Sequence, residues 1–293
     1  MARRPAVARP AVGASLLLLL LGGHATAQAG TAGPTTSLGK AGGVAYVTAK
    51  FENVYDPAGP PAECPGARDA LGGGGRVSGQ TNAGRMTTVA PISTAGEGWL
   101  AEGRVLGMSA GQTVHAFATC GRTEAQYETS SVGLSSGFAV GLSAICPGGT
   151  KVTGGGVSGN GGELVIHRSI PIDGGDIDTT PDDGWSTYVT NTSGGSVTVT
   201  SYAVCAGSLK LRYAFAPKAV APTSAGKATA GCPKGTVVVG GGFNGPDEGL
   251  LHASIPKDTK DAGKVPEDGW FARLHNPGAN PATVTTHATC LKP

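Results

Sequence analysis

One block of residues occurs three times along the chain and limits what it can fold into. Its clearest copy reads Cys232-Pro-Lys-Gly-Thr-Val-Val-Val-Gly-Gly-Gly, then Ser254-Ile-Pro256, Asp268-Gly-Trp270 and finally Thr283-Val-Thr-Thr-His-Ala-Thr-Cys290. A second copy runs from Cys146 to Cys205, and a more diverged one from Cys64 to Cys120. The glycine triplet begins eight residues after the first Cys each time, at Gly72, Gly154 and Gly240. Trp99, Trp185 and Trp270, all the tryptophans of the chain, lie 21, 20 and 20 residues before the closing Cys. Each repeat starts earlier than its first Cys: Tyr46, Tyr127 and Tyr213 precede it by 18, 19 and 19 residues. A long period of this kind defines units that bury their apolar faces against one another. The boundaries read as residues 42–120, 121–205 and 206–293.

Ahead of the repeats, Arg3, Arg4 and Arg9 precede a short leucine-rich core, which Ala25-Thr26-Ala27 follows. This is the pattern of a secretory signal peptide, residues 1–27, with cleavage expected near Ala27. The apolar run is too short to span a bilayer. Residues 28–41 are small and polar and read as a flexible leader. Export predicts an oxidising compartment, so the six Cys read as three disulfides. Two pairings respect the repeat. One closes each unit on itself, as Cys64–Cys120, Cys146–Cys205 and Cys232–Cys290; the other joins neighbouring units. The first works for one unit in isolation and is the expected scheme, each loop restricting the unfolded chain by roughly 4 kcal/mol. The Cys are too dispersed for a metal site, and no cofactor is expected.

Fifty glycines in 293 residues and only 5% aromatics fit many short strands and tight turns. No stretch sustains a helical period of about 3.6. The fold class is therefore all-β: three homologous units of roughly 85 residues, each of four to six strands with one disulfide. The short connections leave pseudo-threefold, prism-like packing, the favoured arrangement, or tandem β-sandwiches. In the second unit, strands are expected near 127–134, 138–146, 151–158, 163–170, 185–191 and 197–205. The last alternates, with Val197, Val199, Ser201, Ala203 and Cys205 on one face. The glycine triplet falls inside a strand, where it implies a close approach by another backbone or a Trp ring, or a bulge.

Removal of the leader takes away three Arg and no acid, leaving 19 basic against 20 acidic side chains. That balance gives no support to nucleic-acid or membrane partners. Two Gly-x-Ser-x-Gly motifs, around Ser109 and Ser135, match a hydrolase elbow but lack the strand–turn–helix setting it needs. His167 with Ser169, and His252 with Ser254, share strand faces. Residues two apart on a strand lie about 6.5 Å apart along it, too far for an easy Ser–His bond. Phe117, Tyr202 and His287 align as interchangeable flat rings. Asp173, Asp176, Asp178, Asp182 and Asp183 crowd one loop, which reads as solvated rather than calcium-binding. Asn191-Thr-Ser193 fits a glycosylation acceptor, or simply a turn-forming Asn. Trp99, Trp185 and Trp270 read first as the core anchors of their units. The alternative makes them sugar-stacking platforms, and so the candidate ligand residues.

The pattern Cys-Pro-x-Gly-Thr-x-Val-x-Gly-Gly-Gly, with Gly-Trp and the Tyr-Ala-Val-Cys205-Ala ending, resembles one found in exported proteins of GC-rich bacteria. That resemblance covers most of residues 42–290 and implies an extracellular β-repeat without implying an activity. Three such blocks also look like a β-prism, an architecture of lectins and egg-coat proteins, by analogy of fold alone. The functional expectation is a secreted, non-catalytic binding or surface-structural protein directed at a glycan or cell-surface polymer. The alternatives are an exported hydrolase using Ser and His of one unit, and a secreted enzyme inhibitor.

Overall fold

The computed structural model describes residues 35–52, 60–78, 84–92, 97–105, 113–174, 178–259 and 263–293. The proposed signal peptide, the Ser109 motif and Asp176 lie outside these residues. The described residues contain strands and no helix. After β1 (Thr36–Ala41), the first unit supplies β2 (Val44–Glu52), β3 (Ala62–Glu63), β4 (Asp69–Ser78), β5 (Gly84–Pro91), β6 (Gly98–Val105) and β7 (Thr113–Gly121). The second supplies β8 (Ala125–Leu134), β9 (Ala139–Ile145), β10 (Thr150–Ser158), β11 (Leu164–Ile172), β12 (Gly184–Asn191) and β13 (Val197–Gly207). The third supplies β14 (Leu211–Val220), β15 (Ser224–Gly231), β16 (Val237–Asn244), β17 (Leu250–Lys257), β18 (Gly269–Asn276) and β19 (Ala282–Leu291).

These strands form three sheets, ordered β1-β2-β7-β4-β17-β18-β15, β3-β6-β5-β10-β13-β8 and β14-β19-β16-β11-β12-β9. No sheet belongs to one unit. Each unit gives its first, sixth and third strands to one sheet and its second, fifth and fourth to another. The exchange closes in a ring: unit one pairs with unit three through β4 and β17, unit one with unit two through β5 and β10, and unit two with unit three through β11 and β16. Tandem sandwiches are thereby excluded; the units form a three-sided prism about a pseudo-threefold axis.

The glycine triplet makes this packing achievable, and each position has its own task. A Cβ on Gly72 would lie 2.9 Å from Gly240 Cα, one on Gly240 3.0 Å from Gly154 Cα, and one on Gly154 2.8 Å from Gly72 Cα. The first glycines therefore meet each other around the axis, where any side chain would push the strands apart. The second glycines, Gly73, Gly155 and Gly241, lie against Trp99, Trp185 and Trp270 of their own units. The third, Gly74, Gly156 and Gly242, face the carbonyls of Ser254, Val89 and Ser169 on the neighbouring unit. Thr153 Oγ1 donates to Leu71 O across the axis at 2.7 Å, and Thr119 Oγ1 donates to Val239 O.

The three tyrosines that mark the repeat starts tie the ring together. Tyr127 donates to Ala70 O (2.7 Å), Tyr213 to Val152 O (2.8 Å) and Tyr46 to Val238 O (2.7 Å), so each unit reaches back to the one before and the first reaches the third. Burial, the main cause, raises the pKa of all three phenols and keeps these donors protonated.

The disulfides are Cys64–Cys120, Cys146–Cys205 and Cys232–Cys290. Each first Cys follows an edge strand of one sheet, and each closing Cys lies in a strand of another. One disulfide therefore staples each corner of the prism. Thr36–Ala41, read as part of a flexible leader, form β1, which pairs with β2 and packs Leu38 and Ala41 onto the core of unit three.

Candidate functional site

The tryptophans cannot be ligand platforms. All three are 0% exposed. Each ring lies flat on the second glycine of its own unit, and Trp185 and Trp270 also approach Gly242 and Gly74 of the next. With so few aromatics, the chain spends its largest rings on filling the wedge between the two half-sheets of each unit.

The paired Ser and His residues are absorbed by the same arrangement. Trp185 Nε1 donates to Ser169 Oγ and Trp270 Nε1 to Ser254 Oγ, both at 2.8 Å. In the first unit Val89 stands at that position, and Trp99 Nε1 has no partner among the described residues. His167 is buried, bonds Thr190 Oγ1 through Nε2 at 2.8 Å and tilts against Tyr188; burial lowers its pKa. His252 stacks on His275 at 6.4 Å. The serine hydroxyls thus serve indoles rather than imidazoles. Ser254→Ala should leave the Trp270 N–H unpaired in the core and cost about 1–3 kcal/mol in urea denaturation; a change within experimental error would remove that role.

The remaining motifs also resolve into structure. Ser135 lies on the turn joining β8 to β9, with Gly137 at φ +79°, and a strand follows where an elbow requires a helix. Asn191 is 0% exposed and its Nδ2 donates to Leu134 O and Gly195 O, so it is no glycosylation acceptor in the folded protein. Its Oδ1 accepts from Ser193 N, and Asn276 Oδ1 accepts from Gly278 N, the turn-forming role expected of both. In the acidic loop, Asp182 pairs with Lys151, and Asp183 Oδ2 accepts from Gly174 N as Asp268 Oδ2 does from Thr259 N. The Thr180 backbone and side chain hold the exposed Asp178 carboxyl below its usual range. Among the described residues no three such side chains are grouped to hold a metal.

What remains is the outer face of each sheet. Cross-strand partners share a face, so the strand register can be read as rows of side chains. On the third sheet, Pro217, Thr285, Asn244, Arg168, Tyr188 and Gly141 form one continuous row. One step along, Phe215 is 72% exposed and its ring tilts against His287 at 6.3 Å. Burial pushes the His287 pKa down to about 4, so that ring is neutral at physiological pH. On the second sheet the equivalent row is Ser131, Thr200 and Ser158, with the Ser131 and Thr200 hydroxyls 2.8 Å apart and Tyr202 beside them. On the first sheet Phe117 takes the ring position, stacked on His115 at 6.2 Å. The aligned rings Phe117, Tyr202 and His287 thus occupy one half-exposed place per sheet. Phe215 was not singled out from sequence, because nothing local separates it from a core residue.

No protein-family model and no curated protein matches this chain. No helix among the described residues is long and apolar enough to cross a membrane.

Proposed function

We propose that this is an exported, non-catalytic binding protein directed at glycans of a cell surface or wall. The three disulfides and the leader pattern are compatible with export. The observation that carries the ligand class is the outer face of the third sheet. Phe215 presents a ring to solvent beside a neutral His287, and Thr285, Asn244, Arg168 and Tyr188 lie in line next to it. A sugar offers C–H groups to a ring face and hydroxyls to such donors and acceptors. The scaffold beneath is pinned by core, ring closure and disulfides, so little order has to be gained on binding.

The test is an array of glycans and cell-wall polymers probed with the leader-free protein and with Phe215→Ala and His287→Ala. Binding to a neutral glycan that falls roughly tenfold in Phe215→Ala is the expected result. Absence of any bound sugar, or binding by both variants that equals the parent's, overturns the reading.

A further inference from the structure

The same row on the first sheet has a different chemistry. Its register runs Lys50 on β2, His115 on β7, Arg76 on β4, Ala253 on β17, Arg273 on β18 and Lys227 on β15. Lys50, Arg76, Arg273 and Lys227 are all exposed. In this row and those on either side of it, Glu52 is the one carboxylate, and it pairs with Lys50. The corresponding row carries one cation, Arg168, on the third sheet. On the second sheet it carries none, and Thr88 and Glu102 extend it. Unit one supplies two of the four cations and unit three the other two, so the row exists only because the units exchange half-sheets.

We propose that this face binds a linear anionic glycan, one carrying carboxylate or sulfate groups along an extended chain. The proposal rests on the reading of the protein as a glycan binder and adds to it a second face with an anionic ligand. Adjacent strands lie about 4.8 Å apart, so neighbouring row positions follow one another at about that spacing and the whole row spans roughly 24 Å. An extended polysaccharide advances by a comparable distance per sugar, so a chain laid across the strands can bring anionic groups to Lys50 on β2, Arg76 on β4, Arg273 on β18 and Lys227 on β15. The buried Ala253 leaves a shallow step midway, between Arg76 and Arg273. Arginine forks suit two-point recognition of carboxylate and sulfate oxygens. Phe117 and Phe271, half-buried one step along the strands, give ring faces beside the charges. Burial, with Arg76 and Lys50 adding to it, pushes His115 down to about 4, so that ring donates or accepts as a neutral group amid the cations.

The experiment measures binding of polygalacturonate, dextran sulfate, neutral dextran and single-stranded DNA to the leader-free protein and to Arg76→Gln/Arg273→Gln. Thr200→Gln, on the equivalent row of the second sheet, is the control, and thermal melts confirm that the variants fold. The expected result is binding of polygalacturonate or dextran sulfate that weakens as salt is added and falls roughly tenfold or more in the arginine variant. The control should bind as the parent does, and the preferred polymer tells carboxylate from sulfate. Failure of both anionic polymers at low salt, tighter binding of DNA than of either, or an unchanged arginine variant overturns the proposal. If both anionic polymers fail while Phe215-dependent binding of a neutral glycan persists, only this inference falls and the broader reading stands.

Discussion

Gly241→Ala is expected to cost more than about 4 kcal/mol, enough to abolish soluble expression of a marginally stable domain. The added methyl would lie 2.3 Å from Trp270 Cγ and 2.4 Å from the His287 carbonyl oxygen. Neither neighbour can retreat. The indole is bonded to Ser254 and its far edge already lies 3.1 Å from where a Gly74 Cβ would be. The carbonyl belongs to β19, which is paired on both sides by β14 and β16. In an open strand the same change is neutral or favourable, since alanine loses less backbone freedom on folding. Gly133→Ala, where nothing lies within 4 Å, supplies that comparison. Soluble yield of the two variants, and urea denaturation of whatever is recovered, decide the matter: if Gly241→Ala is obtained as readily as Gly133→Ala and the two differ by less than about 0.5 kcal/mol, the close contact does not exist in solution.

Removal of the central staple, as Cys146→Ala/Cys205→Ala, should cost about 2–5 kcal/mol and lower the urea midpoint with little loss of β-structure in the surviving folded fraction. The bond spans 59 residues of sequence and joins the end of β9 in one sheet to β13 in another. It therefore restrains the unfolded chain over a long loop and holds one corner of the prism together. Around it lie Ala144, Val152, Trp185 and Ala203, a small core with few contacts to spare. Non-reducing peptide mapping of the parent gives an independent check: a Cys120–Cys146 peptide would replace the within-unit scheme with the neighbour-joining one. A stability equal to that of the parent would place the corner's strength in the core alone.

Much of this architecture was legible because a triplicated sequence supplies its own controls. Registration of Cys, glycine triplet, Trp and Cys gave the unit, and alternation gave the strands. All six strands expected in the second unit are present, from β8 to β13. Alternation in β13 puts Val199, Ser201, Ala203 and Cys205 inside, as their burial shows, but Val197 at the strand's start is only half-buried and Val204, expected on the opposite face, is buried too. The same local logic misplaced other features. A small, polar stretch carries no sign that it will pair, and β1 forms only because β2 offers it an edge and unit three an apolar surface. A Trp after a Gly reads equally as platform or core until the wedge that encloses it is known.

The candidate site was the least legible part, for a physical reason. Net charge is a sum over the chain, and a balance near neutrality conceals where the charges stand. Lys50, Arg76, Lys227 and Arg273 come from two units and are separated by as many as 223 positions. They align only through the ladders of one sheet. Repetition, strand alternation and glycine spacing are local or periodic properties, so the sequence by itself determined the all-β class, the three units and the positions where nothing larger than glycine fits. Which strands exchange between units, and hence which side chains share an outer face, follows from closing three half-buried units into a ring. That closure is a property of the assembled chain, and the tertiary structure alone decided it.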